Sequence, residues 1–144
     1  MRRIGLALLL LLLWSFPASA AREIEGVQLP ETIESSGSQQ LLNGAGVRSK
    51  WFLDLYVASL YLDARSDDAL QVIVADRPLL LRLDIISGLI GSNKMEKATR
   101  EGFENAAATG YPASAGQIDA IIDVFREEIE EGDSFELAYL PGEG

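Results

Sequence analysis

The chain has 144 residues with 22 acidic and 12 basic side chains, a net charge of −10 and a length that suits a single domain. It contains no histidine and no cysteine, which excludes Ser-His-Asp and Cys-His catalysis, disulfides and the usual transition-metal ligands. A surface this acidic repels nucleic acid and anionic lipid headgroups, so we expect neither as a partner. We also expect no cofactor and no metal, which leaves arginine, lysine, tyrosine, serine, threonine and carboxylates for any chemistry.

The first 20 residues have the pattern of a secretory signal peptide. Two arginines precede an apolar run over 4–13, and the small residues of 18–20 match a cleavage motif. No stop-transfer cluster of charges follows, which argues against a membrane anchor. We therefore expect 1–20 to be removed between Ala20 and Ala21. The mature domain, 21–144, would have a net charge of −12 and be periplasmic or secreted, without stable membrane insertion.

The first half of the mature chain has patterns typical of β-strands. EIEGVQLPETI (23–33) predicts a strand with a turn, and SSGSQQ (35–40) predicts a loop. LLNGAGVR (41–48) and WFLDLYVASLYL (51–62) are rich in aromatic and β-branched residues. LLLRLDII (79–86) alternates charged and apolar side chains, which predicts a half-buried strand.

Three helices are predicted from start signals and from the spacing of apolar residues. The residues Ser-Asp-Asp favour a short helix within 66–76, and helical periodicity predicts a second helix over 92–110. A capping box of Ser114 and Gln117 opens a third helix, whose apolar residues recur at helical spacing up to Gly132. We expect the acidic residues of this helix to form a solvated face rather than a metal site.

A final strand is predicted over 133–140, ahead of the turn residues of 141–144. The order of several strands, two long helices and a strand predicts an α+β fold, an antiparallel sheet with helices packed on one face. An unpaired final strand would be an aggregation liability. The strand therefore either pairs with an earlier one or belongs to a truncated chain.

The segment from Ala21 to Gly144 resembles the exported chalcone isomerase-like proteins of bacteria, which have the chalcone isomerase fold. The resemblance depends above all on an Asn-Gly-Ala-Gly-x-Arg element that ends at Arg48, followed by Tyr-x-x-x-x-Tyr-Leu. Further matching stretches are EIEGVQLPETI, SDDALQVIVAD and GDSFELAYLPGEG. Members of this family continue with further strands and a C-terminal helix, so the resemblance implies that the C-terminal part is missing here.

The resemblance implies a ligand cleft around Arg48. In plant chalcone isomerases the matching arginine polarises the substrate ketone, and in the related fatty-acid-binding proteins it holds a carboxylate. A guanidinium fits either oxygen group through its fixed fork of donors. Tyr56 matches a threonine of the enzymes, while Lys94 and Glu101 match their helical tyrosine and asparagine. The ligand-binding candidates are therefore Arg48, Tyr56, Lys94 and Glu101.

The pairing of Arg48 with Tyr56 has a geometric condition. An unbroken strand would separate the two residues by about 26 Å, at about 3.3 Å per residue. They share a site only if the chain reverses near Ser49 to Phe52. The pairing comes from the resemblance and does not follow from the spacing.

Three functions remain open at this point. The chain is a non-catalytic module that binds a fatty acid or a similar apolar acid, or it is a chalcone-type intramolecular lyase that uses Arg48. Of the polar set of the enzymes only the arginine clearly survives, which weighs against catalysis. The third possibility is a structural or interaction protein in which Arg48 pairs with an acidic neighbour such as Asp54, and Lys94 with Glu101 on the surface. The sequence does not indicate the oligomeric state.

Overall fold

The computed structural model describes residues 21–142, so the predicted signal peptide lies outside the described residues. Seven strands and three helices follow one another along this part of the chain. The strands are β1 (Arg22–Ile24), β2 (Val27–Leu29), β3 (Thr32–Ser35), β4 (Ser38–Lys50), β5 (Leu53–Leu62), β6 (Leu79–Ile85) and β7 (Ser134–Tyr139). The helices are α1 (Ala69–Val74), between β5 and β6, and α2 (Ser92–Ala108) and α3 (Ala115–Asp123), between β6 and β7.

The main sheet has five strands in the order β3-β4-β5-β6-β7, and every neighbouring pair is antiparallel. The short strands β1 and β2 form a separate hairpin. The final strand is paired with β6, with Ser134 opposite Asp84. The predicted α+β fold with an antiparallel sheet and helices on one face is therefore confirmed. None of the helices within 21–142 is long and apolar enough to cross a bilayer.

The predicted loop over 35–40 is wrong for residues 38–40, which belong to strand β4. The chain reverses within two residues, Ser36 and Gly37, which have φ of 50° and 77°. Left-handed φ at both positions suits a tight hairpin turn, so the reversal needs no longer loop. Strand β4 therefore begins at Ser38, and Gln40 is fully buried in it.

The third helix also differs from the prediction, because it ends at Asp123 and not at Gly132. The capping box at its start is present as predicted. Beyond the helix, Gly132 N–H donates to the carbonyl of Ile85 over 2.9 Å, which draws the chain to the end of β6. Four exposed glutamates between 127 and 131 would also repel one another at helical spacing. Phe125 and Ile129, two of the apolar residues at helical spacing, are buried although they lie outside the helix.

Two apolar clusters pack on opposite faces of the sheet, because successive side chains of a strand point in opposite directions. One cluster joins β6 to α2 and to the segment after α3, and we call it the helix-side core. Its buried members are Leu83, Ile85, Ile90, Met95, Phe125 and Ile129. The other cluster includes Leu29 of β2, and its remaining buried members are Leu42, Val57, Tyr61 and Leu80.

Tyr61 is the largest fully buried side chain on the second face. Its hydroxyl and that of the buried Ser59 have no hydrogen-bond partner among residues 21–142. Burial raises the pKa of the Tyr61 phenol above its ordinary value. The folded state therefore holds this proton more tightly than the unfolded state does. The resulting stability is fully present below the unfolded pKa, about 10, and is lost as the pH rises through the folded pKa.

Above about pH 10, we expect the free energy of unfolding of Tyr61→Phe to fall less steeply with pH than that of the wild type. At pH 7 the substitution should be neutral or stabilising, because it removes a buried hydroxyl that lacks a partner. Urea denaturation at neutral and alkaline pH measures both effects, with Tyr111→Phe as the control at an exposed tyrosine. A Tyr61→Phe protein that loses stability above pH 10 as steeply as the wild type would contradict the assignment.

Candidate functional site

A cleft with a volume of about 470 Å³ lies between the β4–β5 hairpin and α2. This volume falls within the range of ligand sites, about 300–1,000 Å³. The four residues proposed from the sequence, Arg48, Tyr56, Lys94 and Glu101, all line it. The other lining residues are Lys50, Trp51, Leu53, Leu55, Leu89, Ile90, Lys97 and Ala98.

The β4–β5 hairpin brings Arg48 and Tyr56 together. The chain turns at Trp51 and Phe52, so that Lys50 pairs with Leu53 and Arg48 stands directly opposite Tyr56. Directly opposed residues of an antiparallel pair have Cβ atoms about 4.5–5.5 Å apart and share one face of the sheet. The reversal that the pairing of these two residues requires is therefore present.

A β-bulge beside this pair shapes the wall of the cleft. The register changes between Arg48 and Ser49, which pair with Tyr56 and Asp54, so Leu55 is the extra residue on β5. As a result, the sequence neighbours Leu55 and Tyr56 both pack against the helix-side core. In a regular strand they would face opposite sides. The bulge thus places a phenol and an apolar side chain together next to the guanidinium.

The opposite wall of the cleft is one face of α2. Lys94, Lys97, Ala98 and Glu101 follow the spacing i, i+3, i+4 and i+7, which places them along one side of a helix. Lys94 Nζ donates to the carbonyl of Leu89 over 2.7 Å. Lys97 Nζ lies 3.8 Å from Glu101 Oε1. The suggested pair of Lys94 with Glu101 is therefore replaced by a pair of Lys97 with Glu101.

Two cations of the cleft, Lys50 and Lys97, were not among the candidates from the sequence. Lys97 could have been found from its helical spacing to Lys94 and Glu101. Lys50 stands two residues after Arg48, a spacing that keeps side chains on one face of a strand. Trp51 and Leu89 had no comparable signal, because their position depends on the turn and on the approach to α2.

Positive charge is concentrated in the cleft, although the chain as a whole is acidic. Four cations and one carboxylate from the described part of the chain line it, in a protein with a net charge of −10. Among residues 21–142, six of the ten arginines and lysines form ion pairs within 4.0 Å. The four that form none are Arg22, Arg48, Lys50 and Lys94. Three of these four therefore line the cleft.

The ion pair of Arg48 with Asp54, expected if Arg48 has a structural role, is not formed. The Asp54 carboxylate accepts a hydrogen bond from Ser49 Oγ at 2.6 Å. No carboxylate of the described residues lies within 4.0 Å of the Arg48 guanidinium. Arg48 is also exposed rather than buried at the base of the cleft. The guanidinium is thus accessible and available to an anion.

A second cavity, between α1 and the neighbouring ends of β5 and β6, has a volume of only about 70 Å³. The ion pair of Arg77 with Asp63 lies in its wall. This volume is below that of sites for small molecules, about 300 Å³ or more. A third depression of about 400 Å³ along α2 is lined by Asn93, Glu96, Lys97, Arg100, Glu101 and Glu104. None of these described residues has an apolar side chain, whereas ligand sites are mostly apolar. The cleft beside Arg48 is therefore the candidate site.

The sequence profile of chalcone isomerase-like proteins matches residues 21–144. The match covers the whole of the predicted mature domain, and the chain belongs to the chalcone isomerase-like family. Among curated proteins no sequence matches it.

A solved structure with a similar fold is that of a fatty-acid binding protein from Arabidopsis thaliana. The two structures superpose with a TM-score of 0.65 at 18% sequence identity, over 86% of this chain and 74% of the plant protein. This likeness supports the chalcone isomerase-like fold of the sheet and helices.

Proposed function

We propose that this protein is exported and binds a fatty acid or a similar apolar carboxylate, with Arg48 as the main contact of the carboxylate. One observation carries the proposal. Three cations without an ion-pair partner among residues 21–142 line a single cleft whose remaining wall is largely apolar. An acidic chain that leaves cations free in one place favours an anionic ligand there.

Each part of the cleft has a role in this proposal. The planar guanidinium of Arg48 presents two parallel N–H donors to the carboxylate, and the Tyr56 hydroxyl can donate a third hydrogen bond. Lys94 and Lys50 add positive charge around the same position. The apolar side chains Leu53, Leu55, Ile90 and Ala98 offer surface to a hydrocarbon chain.

Among the residues of 21–142 that line the cleft, Glu101 is the one acidic side chain, and its contact with Lys97 limits its repulsion of an anion. The name of the Arabidopsis protein supports a fatty acid as the ligand class. A carboxylate with an apolar tail also matches the two kinds of surface in the cleft better than a free inorganic anion does.

Native mass spectrometry tests both parts of the proposal at once. The protein is expressed from the full reading frame and purified from the cells without added lipid. We expect a chain mass that begins at Ala21, together with a co-purified acid that is lost on denaturation. An intact Met1, or a protein that takes up no long-chain fatty acid in titration calorimetry, would contradict export or binding, respectively.

The same preparation tests the alternative of a chalcone-type lyase. We expect chalcone cyclisation to proceed at the spontaneous rate, because Lys94 and Glu101 stand where the resemblance places the tyrosine and asparagine of the enzymes. One well-placed acid–base group accelerates a reaction by about a hundredfold or more. An acceleration of that size that disappears in Arg48→Ala would favour the lyase instead.

A further inference from the structure

The tip of the β4–β5 hairpin exposes two aromatic side chains to solvent. Trp51 is 88% exposed and Phe52 is 86% exposed. No other large apolar side chain within residues 21–142 is as exposed as these two. Two adjacent aromatic rings in water are unfavourable for an isolated soluble domain, so they suggest a contact surface.

The backbone conformation of this turn also indicates a contact surface. The two other hairpin turns place a polar residue and a glycine at left-handed φ, Glu25 with Gly26 and Ser36 with Gly37. These are residues that such turns favour or tolerate. At the β4–β5 turn Trp51 has a φ of 60°, where a bulky residue is strained. The backbone conformation therefore gives no reason for a tryptophan at this position. The reason lies in a contact that its side chain makes.

The surroundings of the tip combine apolar surface with positive charge. Leu89, which is 53% exposed, lines the same cleft as Trp51. The cations of the cleft are Arg48, Lys50, Lys94 and Lys97. Aromatic rings flanked by arginine and lysine are the chemistry of an anchor at the boundary between lipid headgroups and acyl chains.

We propose that Trp51 and Phe52 insert reversibly into the interface of a lipid bilayer that contains anionic lipids, and that this contact seats the mouth of the cleft on the membrane. The cations next to the tip would meet the lipid phosphates. Such a contact is peripheral and needs no spanning helix.

The net charge of −10 does not prevent this contact. Charges farther away than a Debye length, about 10 Å at 0.1 M salt, are largely screened. The local sign of charge at the point of contact therefore decides whether an anionic surface attracts the protein. The repulsion that we expected from the overall composition applies to the acidic remainder of the surface. It therefore favours an orientation in which the hairpin faces the membrane.

Tryptophan fluorescence tests the proposal directly. The chain has two tryptophans, Trp14 and Trp51, so a Trp14→Phe protein reports Trp51 alone, whether or not residues 1–20 remain attached. Vesicles of phosphatidylcholine with phosphatidylglycerol should shift its emission to shorter wavelengths as the indole leaves water. Vesicles of phosphatidylcholine alone should give the same shift only at a higher lipid concentration.

Variants of the Trp14→Phe protein separate the contribution of the aromatic side chains from that of the cations. Phe52→Ser should lower the vesicle affinity about tenfold, which corresponds to about 1.4 kcal/mol. Lys50→Gln should lower it about fivefold on anionic vesicles, the usual contribution of one cation near such a surface, and hardly at all on neutral vesicles. Leu70→Ser is the matched control, since Leu70 is an exposed apolar residue on α1, away from the cleft.

Three outcomes would overturn the proposal. The first is an emission of Trp51 that does not change with either kind of vesicle. The second is a shift that Phe52→Ser leaves intact. The third is a shift without vesicles that grows with protein concentration, which would place the tip between two copies of the chain. Fatty-acid binding plays no part in this test, so the membrane contact and the proposed ligand can each fail independently of the other.

Discussion

Arg48→Ala should weaken the binding of a long-chain fatty acid by roughly 1.5–3 kcal/mol, the usual contribution of a hydrogen bond to a charged group. Arg48→Lys should restore only part of the loss, because an ammonium does not present the planar fork of donors. Tyr56→Phe should reduce binding by about 0.5–1.5 kcal/mol, since it removes one hydrogen bond and unpairs no charge. Titration calorimetry with the same fatty acid on all four proteins measures these differences.

Thermal melts of the same proteins distinguish a binding role from a structural one. Arg48 is exposed and has no ion-pair partner among the described residues, so its removal should change the unfolding free energy by about 0.5 kcal/mol or less. Arg65→Ala is a control at an exposed arginine that does pair, with Glu31, and it should leave binding unchanged. Normal binding by Arg48→Ala together with a clearly lower melting temperature would show that Arg48 is structural.

Phe125→Ala should destabilise the fold by about 3–5 kcal/mol, the range for removing a large aromatic side chain from a core. Phe125 is 3% exposed and meets Phe135 of β7 edge to face, with ring centroids 5.2 Å apart. It therefore attaches the irregular segment after α3 to the sheet. The measurement is the free energy of unfolding from urea denaturation.

The neighbouring residue provides the control for this substitution. Val124 is 41% exposed, so Val124→Ala should change the stability far less than Phe125→Ala. Similar effects of the two substitutions, both below about 1 kcal/mol, would mean that this segment is not packed on the sheet as described.

The elements that the sequence predicted well are those specified by neighbouring residues. The Asp68 carboxylate accepts hydrogen bonds from the backbone N–H groups of Leu70 and Gln71, which starts α1 as its sequence indicated. Ser114 and Gln117 close the capping box of α3 in the same way. Such contacts span only two or three residues, so a short stretch of sequence contains the whole signal.

The end of α3 could not be predicted, because distant residues determine it. The apolar spacing continues through Phe125 and Ile129 to Gly132, and it is compatible with a longer helix. The chain leaves the helix because Gly132 and Asp133 bond to Ile85 at the end of β6 and because Phe125 packs on β7. Neither contact can be inferred from periodicity.

The candidate site was predicted in part, and the missing part has a physical reason. The turn between β4 and β5 consists of Trp51 and Phe52 and contains none of the residues that mark a turn. The bulge at Leu55 leaves no mark in the sequence either. Without the turn, Arg48 and Tyr56 could be joined only through the resemblance, and Trp51 could not be assigned to their cleft.

The connections of the main sheet have a consequence for the order in which the protein folds. Strands β3 to β6 are neighbours both in the sheet and along the chain, so their pairings close short segments. The contact of Ser134 with Asp84 spans 50 residues, which include α2 and α3. Closing a longer segment carries a larger entropic cost, which delays its formation unless other contacts form with it. Met95 of α2 and Phe125 of the segment after α3 supply those contacts, so we expect the last strand to join the sheet together with the helix-side core.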